Sequence, residues 1–322
     1  MSNLLQKRLL RKGTTLNVLL CGERGTGKHT FINNLCDATV FHQEAPTGFH
    51  LPDSASESGR LSYEKKEIYI QGGLSPVILK TVFVKGFRDS LDGSEVADQI
   101  VEYLENQFSM VLEEEIRINR NPKYEDNRVH VAIYFVRPTS RGLHQFDIEC
   151  MRKIGSRCNL LPVISKGDSL TEAERRLNKE LISNDIQRAG IKVFQFERDS
   201  GSGSEGGEGR GEVEEGSGVE RTESSPFLDG DDNLVSDVSI ELQRLQRMIP
   251  FCVMSSGGAL GSPVESNAIE FPWGVARLNE AKGNELGELK SILLSTHTQE
   301  LKDTTNENIY EKFRTEKLQP SF

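Results

Sequence analysis

Seven residues, Gly22-Glu23-Arg24-Gly25-Thr26-Gly27-Lys28, are spaced to hold phosphate. Their glycines leave backbone N–H groups open to an anion, and Lys28 adds a positive charge. In loops of this kind the next residue is Ser or Thr, whose hydroxyl binds Mg²⁺; here it is His29, followed by Thr30. Mg²⁺ prefers hard oxygen donors, so imidazole is a poor substitute. The spacing predicts a loop that can cradle phosphates but lacks one of the groups that would turn a nucleotide over. A glycine turn between two unrelated elements would share three of these positions. The flanks favour the phosphate loop: Leu16 to Cys21 is a buried-strand run, and Phe31, Ile32 and Leu35 make a helical face after it.

A second cluster is Ser165-Lys166-Gly167-Asp168, directly after the apolar run Leu160 to Ile164. It matches the Asn/x-Lys-x-Asp pattern with which the GTPase superfamily reads guanine. Asp168 would accept from the N1 and N2 hydrogens of the base, and the stem of Lys166 would lie against its plane. Alone, the pair is equally a surface ion pair; downstream of a phosphate loop it points to guanine and away from a kinase or ATPase.

The elements that must position these clusters alternate. Strands are expected at Glu67–Ile70, Val77–Val84, Val129–Val136, Leu160–Ile164, Ile191–Phe196 and Phe251–Met254. Helices follow from Val96, Ile100, Leu104, Phe108 and Leu112 at every fourth position, from Cys150, Met151 and Ile154, and from Leu177, Leu181 and Ile182. A helix ending near Met248 and a long closing one through Leu286, Leu289, Leu293 and Leu301 complete the set. Such alternation predicts an α/β fold with a mainly parallel sheet covered on both faces. Residues 42–60 read as a long polar loop, and 199–233 as a disordered acidic Gly/Ser/Glu insertion within the domain.

The 322 residues suit one large domain or two small ones, and no stretch reaches the ~20 apolar residues of a membrane-spanning helix. The start Met1 to Arg8 does not read as a secretory signal. Five cysteines, with no Cys-x-x-Cys pair, argue for reduced thiols in a cytoplasmic protein and against a zinc or disulfide framework. The net charge of -10 is local: residues 197–241 hold 14 acidic and 3 basic side chains, and the remainder is nearly neutral. A nucleic-acid partner is not indicated. Lys7, Arg8, Arg11 and Lys12 in the segment 1–15 suit an anionic membrane surface or an acidic partner, and equally an ordinary solvated helix end.

Taken together the residues resemble the septin family. The resemblance is carried by Asn119-Arg120-Asn121-Pro122, Arg128-Val129-His130, Phe146-Asp147-Ile148-Glu149, Phe271-Pro272-Trp273-Gly274-Val275 and, most distinctively, Ser295 to Thr305 with Tyr310 to Arg314. It implies a phosphate-loop GTPase fold of the Ras-like type over 16–318, including a septin unique element at 258–318. Residues 120–123 and 165–171 look most like the fungal subunit that caps hetero-octameric rods, or its sporulation-specific paralogue. Implied partners are other septin subunits, in filaments or rings at a membrane. The implied location is the cytoskeleton: a septin ring at the division site or bud neck, or the prospore membrane, in cytokinesis, septation or sporulation.

The implied guanine-nucleotide site (GTP or GDP) comprises Gly22 to Thr30, Gly86, Lys166, Asp168 and Ser255. Arg141 and Trp273 are implied at the nucleotide-side subunit contact, although Trp273 alone reads equally well as a core residue. The departures from the family pattern matter more. Phe83-Val84-Lys85-Gly86 stands where septins carry Asp-Thr-Pro-Gly, so a ring replaces the carboxylate that supports the metal. Lys85 is either a partial substitute near phosphate or a surface lysine. Ser255-Ser256-Gly257 replaces Gly-Ser-Asn, Ile269 replaces an arginine near the base, and Arg141 replaces a histidine. The expectation is a structural subunit without catalytic residues or Mg²⁺, with nucleotide weakly held or absent. The rival is an active GTPase whose metal site is rebuilt from residues such as Thr30 or Asp89.

Overall fold

The structure, a computed structural model, describes residues 13–41, 60–70, 76–87, 93–119, 121, 124–196, 231–255, 268–271, 274–277 and 283–319, with backbone alone at 231–238, 268–271 and 274–277. Two compact units are present, Met1–Phe194 with Ile249–Phe322, and Gln195–Met248. The first contains a sheet of strands β1 (Thr14–Gly22), β2 (Ser62–Ile70), β3 (Val77–Lys85), β4 (Val131–Val136), β5 (Asn159–Ile164) and β6 (Phe251–Cys252). Their spatial order is β2-β3-β1-β4-β5-β6; β2 runs antiparallel to β3 and every other pairing is parallel.

The centre of the sheet is apolar on both faces because helices cover it. Leu16, Val18, Leu19, Leu20 and Cys21 of β1 have no exposed surface, nor do Val131 to Tyr134 of β4. The leucine, isoleucine and valine side chains among them each contribute roughly 1.5–3 kcal/mol of burial. The edge strand β2 carries Glu64, Lys65, Lys66 and Glu67, charges that discourage further strand pairing. Beside β1 the order reverses: β3 lies on one side and β4 on the other. The loop that leaves its C-terminal end therefore opens at a topological switch point, where open α/β sheets take ligands.

Around the sheet lie α1 (Lys28–Cys36), α2 (Gly93–Ile116), α3 (Gln145–Ile154) and α4 (Glu172–Arg188). The buried stripe of α2 is Val96, Ile100, Leu104, Phe108 and then Val111, not Leu112. Steps of four residues overshoot a 3.6-residue turn, so the face returns by a step of three. In α4 the inward stripe is Asn178, Ile182 and Ile186, and Leu177 is 49% exposed. A capping box starts α4: the Thr171 hydroxyl accepts from the Glu174 N–H, and the Glu174 carboxylate accepts from the Thr171 N–H.

Other expectations need correction. Residues 191–196 join no ladder; Phe194 donates its N–H to the Leu160 carbonyl but no register develops. The strand expected at 251–254 is only Phe251–Cys252. A helix, α5 (Asp231–Met248), begins inside the expected acidic insertion, and the rest of that insertion lies outside the described residues, as do residues 42–59 of the long polar loop and the basic side chains Lys7, Arg8, Arg11 and Lys12. A hairpin, β7 (Ala268–Phe271) and β8 (Gly274–Arg277), precedes the C-terminal region.

The expected single closing helix is interrupted at His297 and consists of α6 (Leu286–Ser291), α7 (Thr298–Asp303) and α8 (Glu311–Leu318), with π turns at Ile292–Thr296 and Thr304–Tyr310 running on from α6 and joining α7 to α8. It is tied to the sheet by a buried amide. The Asn159 side chain donates to the carbonyls of His130 and Leu301 and to the Thr305 hydroxyl, at 2.8, 2.9 and 3.1 Å. Phe108 of α2 meets Tyr310 and Phe313 with ring centroids 5.9 and 5.4 Å apart.

Candidate nucleotide site

The phosphate loop leaves β1 at Gly22, whose added Cβ would lie 2.6 Å from the Phe135 carbonyl of the neighbouring strand. Gly25 and Gly27 have φ of 81° and 82°, and a Cβ on either would meet nothing within 4 Å. The two glycines thus border open space just before α1 starts at Lys28, an arrangement that leaves room for phosphate at the helix N-terminus. The Lys28 ammonium donates to the carbonyls of Gly22 (2.7 Å) and Glu23 (2.8 Å) and lies 3.4 Å from the Thr26 hydroxyl. These contacts anchor it inside the loop. Burial of this ammonium pulls its pKa down to about 8. Arg24 stands exposed on the outer edge of the loop, and Thr30 is half-buried on α1.

The next position does not fit a metal. The His29 ring stacks on Phe41 with centroids 4.8 Å apart and planes 11° from parallel, and it meets Phe83 edge-on at 4.6 Å. Phe41 and Phe83 are in turn 4.9 Å apart. Phe83 comes from β3, where it pairs with Leu20 of β1, just below the loop. Three rings therefore occupy the corner where a Ser/Thr hydroxyl and a carboxylate normally hold the cation between β- and γ-phosphates. Lys85 is exposed and pairs with Glu64 at 2.7 Å, the surface lysine of the two alternatives. Gly86 follows with φ 82°. Among the described residues no group of three His, Cys, Asp or Glu is placed to hold a metal ion. Asp89 lies outside the described residues.

Phe41 was not foreseen. It sits in a polar stretch without periodicity, and only the fold brings it over α1. Arg137 was also missed: it stands 3.4 Å from Glu23 of the loop, beside a cavity of about 230 Å³ that Thr139, His144 and Asp147 also line. Nothing in the local sequence announces either contact.

On the base side, Lys166 adopts a left-handed backbone, φ 53°. Gly167 then turns tightly, donating its N–H to Val253 just after β6. A Cβ on Gly167 would come 2.7 Å from the Cys252 sulfur, so the close approach of this loop to β6 needs glycine. Asp168 is exposed, and Ser255 follows β6 half-buried. The Ser165 hydroxyl donates to the Val136 carbonyl at 3.0 Å, pinning the loop to β4. The loops of Lys166–Asp168 and Ser255 are thus brought to the same edge of the sheet. Arg141 is exposed in the turn before α3, where Gly142 has φ 82° and Asp185 accepts from the Leu143 N–H at 2.8 Å. Trp273 lies outside the described residues.

The phosphate-loop motif and the Lys166–Asp168 loop both follow C-terminal ends of strands of one sheet, β1 and β5, as in a GTPase-type fold. The Septin family model matches residues 12–321. The chain belongs to the septin family. Cell division control protein 11 of Saccharomyces cerevisiae is 32% identical over 98% of this septin and 69% of its own length. Sporulation-regulated protein 28 of the same yeast is 32% identical over 96% of this chain and 74% of that protein, and septin homolog spn3 of Schizosaccharomyces pombe 32% over 98% and 76%. The crystal structure of Cdc11 from Saccharomyces cerevisiae superposes with a TM-score of 0.56 at 26% identity, covering 94% of this chain and all of that one. As in septins generally, the G domain is a phosphate-loop GTPase fold for guanine nucleotides, and the family works as hetero-oligomers. Among the described residues no helix is long and apolar enough to cross a membrane.

Proposed function

We propose that this septin is a structural subunit that assembles with other septins into filaments or rings at a membrane, and that it does not hydrolyse GTP. The observation that carries the second half is the ring cluster. His29 and Phe83 stand at both positions whose usual residues would support Mg²⁺, and Phe41 packs against both rings. The intact phosphate loop, with Lys28 anchored, supports retention of the pocket as a scaffold for assembly, with guanosine nucleotide weakly held or absent and magnesium unneeded. Arg141, exposed beside the pocket, and Trp273 are proposed at the nucleotide-side contact with the next subunit. The names of the relatives support a place in cell division or sporulation, and the division site or the prospore membrane is the proposed location. The basic residues Lys7, Arg8, Arg11 and Lys12 are proposed to meet anionic lipid.

The rival reading, an active GTPase with a rebuilt metal site, draws no support from any described carboxylate. The test is to mix the purified chain with other septins, follow the mixture by size-exclusion chromatography and negative-stain imaging, and measure GTP turnover alongside. Incorporation into rods without turnover is expected. A persistent monomer, or turnover above background that disappears in Lys28→Ala, overturns the reading.

A further inference from the structure

We propose that the His29–Phe41–Phe83 cluster is a built-in occupant of the cation corner, so that the pocket takes a guanine nucleoside diphosphate without a divalent cation and discriminates against the magnesium triphosphate. This deepens the reading that the loop is a guanine-nucleotide site and rests on it. Two of the rings come from positions where a metal ligand is expected; the third, in contact with both, is delivered by a strap. Asp37 ends α1 in the left-handed region, φ 49°, and turns the chain back over the helix. The Asn33 side chain then clamps the returning backbone. Its Oδ1 accepts from the N–H groups of Val40 (3.0 Å) and Phe41 (2.8 Å), and its Nδ2 donates to the Phe41 carbonyl (2.7 Å). Lys66 of β2 donates to the Val40 carbonyl at 2.7 Å and holds its ammonium 4.3 Å from the Phe41 ring centre.

The result is a closed corner. Phe41 is 8% and Phe83 1% exposed, with His29 as the accessible lid. Ring faces offer no oxygen lone pairs to a hard cation, and they form an apolar wall that penalises nearby unpaired charge. A triphosphate brings its terminal phosphoryl group to this corner and relies on a cation bridging the β- and γ-oxygens. A diphosphate ends before it and needs only the loop N–H groups and Lys28.

The test is calorimetric titration of the purified full chain with guanosine diphosphate and guanosine triphosphate, each in EDTA and in magnesium chloride. The expected result is diphosphate binding that changes less than about twofold between the two buffers, and triphosphate binding at least tenfold weaker in both, a tenfold step being about 1.4 kcal/mol. The triple variant His29→Ser, Phe41→Ser, Phe83→Asp should gain magnesium-dependent triphosphate binding. The wild-type titration decides whether or not that variant folds. Tightening of either nucleotide tenfold or more by magnesium, a preference for the triphosphate, or binding of neither nucleotide overturns the inference. Failure here with normal incorporation into rods leaves the assembly role standing; diphosphate binding by a chain that stays monomeric removes the assembly role instead.

Discussion

The His29 imidazole meets the Phe83 ring edge-on with centroids 4.6 Å apart, joining the residue after the phosphate-loop lysine to the end of the strand that normally supplies a metal-supporting carboxylate. Two departures from the GTPase pattern, 54 positions apart in sequence, are therefore one structural event. Each stands at a position where the family pattern carries a metal-supporting residue, and both rings meet Phe41 in one cluster.

A single reversion should accordingly do little. His29→Ser returns the hydroxyl but leaves Phe41 and Phe83 in place, so GTP turnover measured by phosphate release should stay at background. A working enzyme from this one change would show that Phe83 does not obstruct the metal.

Asn33→Ala removes three hydrogen bonds that fold residues 37–41 over α1. The expected cost is about 1–3 kcal/mol in urea unfolding, with faster hydrogen exchange at the Val40 and Phe41 amides. Unchanged exchange would show that the Lys66 contacts hold the strap alone.

Lys28 carries a pH signature. Burial pulls its pKa down from 10.5 to about 8, so the folded state gives up this proton before the unfolded state does. Where the unfolded state binds more protons, stability rises with pH, here between about 8 and 10.5. Diphosphate affinity should move the other way, weakening as pH rises through about 8 and the ammonium is lost. Lys28→Met should bind weakly and show neither trend; a wild-type affinity that is flat from pH 7 to 9 would contradict the placement of this ammonium at the phosphates.

His130 gives a second signature on the acid side. It is 5% exposed, and its Nδ1 accepts the Asn17 N–H at 3.0 Å, which requires a neutral ring. Burial pulls its pKa down from 6.5 to about 4, with Asp126 opposing the shift and Lys302 and Arg128 reinforcing it. Below pH 6.5 the unfolded chain takes up a proton that the native ring refuses, so stability falls by a few kcal/mol as pH drops from about 6.5 to 4. His130→Asn should flatten that slope in urea titrations. An equal slope in the variant would assign the acid sensitivity to other groups.

Much of this was legible in the residues. The glycine loop, the strand before it and the apolar run before Lys166 depend on local spacing, and the sheet formed around them as alternation implied. The apolar spacing of Leu286, Leu289, Leu293 and Leu301 also placed helix at the C-terminal end, as one long element. What escaped depended on tertiary contact. Phe41 carries no periodic signal, and its position is set by Asn33 eight residues earlier and Lys66 on another strand. Residues 191–196 had strand-like composition, but the edge beside β5 is taken by β6 instead. The π turns shift the buried face by one residue, as in the step of five from Thr305 to Tyr310, and the apolar pattern up to Leu301 carries no sign of that shift.

The most direct test of the proposed cation-free pocket uses paramagnetic manganese as a stand-in for magnesium. Electron paramagnetic resonance of the purified chain with excess guanosine triphosphate should show manganese bound only to free nucleotide, with no protein-bound signal. One manganese per chain, lost in Lys28→Ala, would contradict the account.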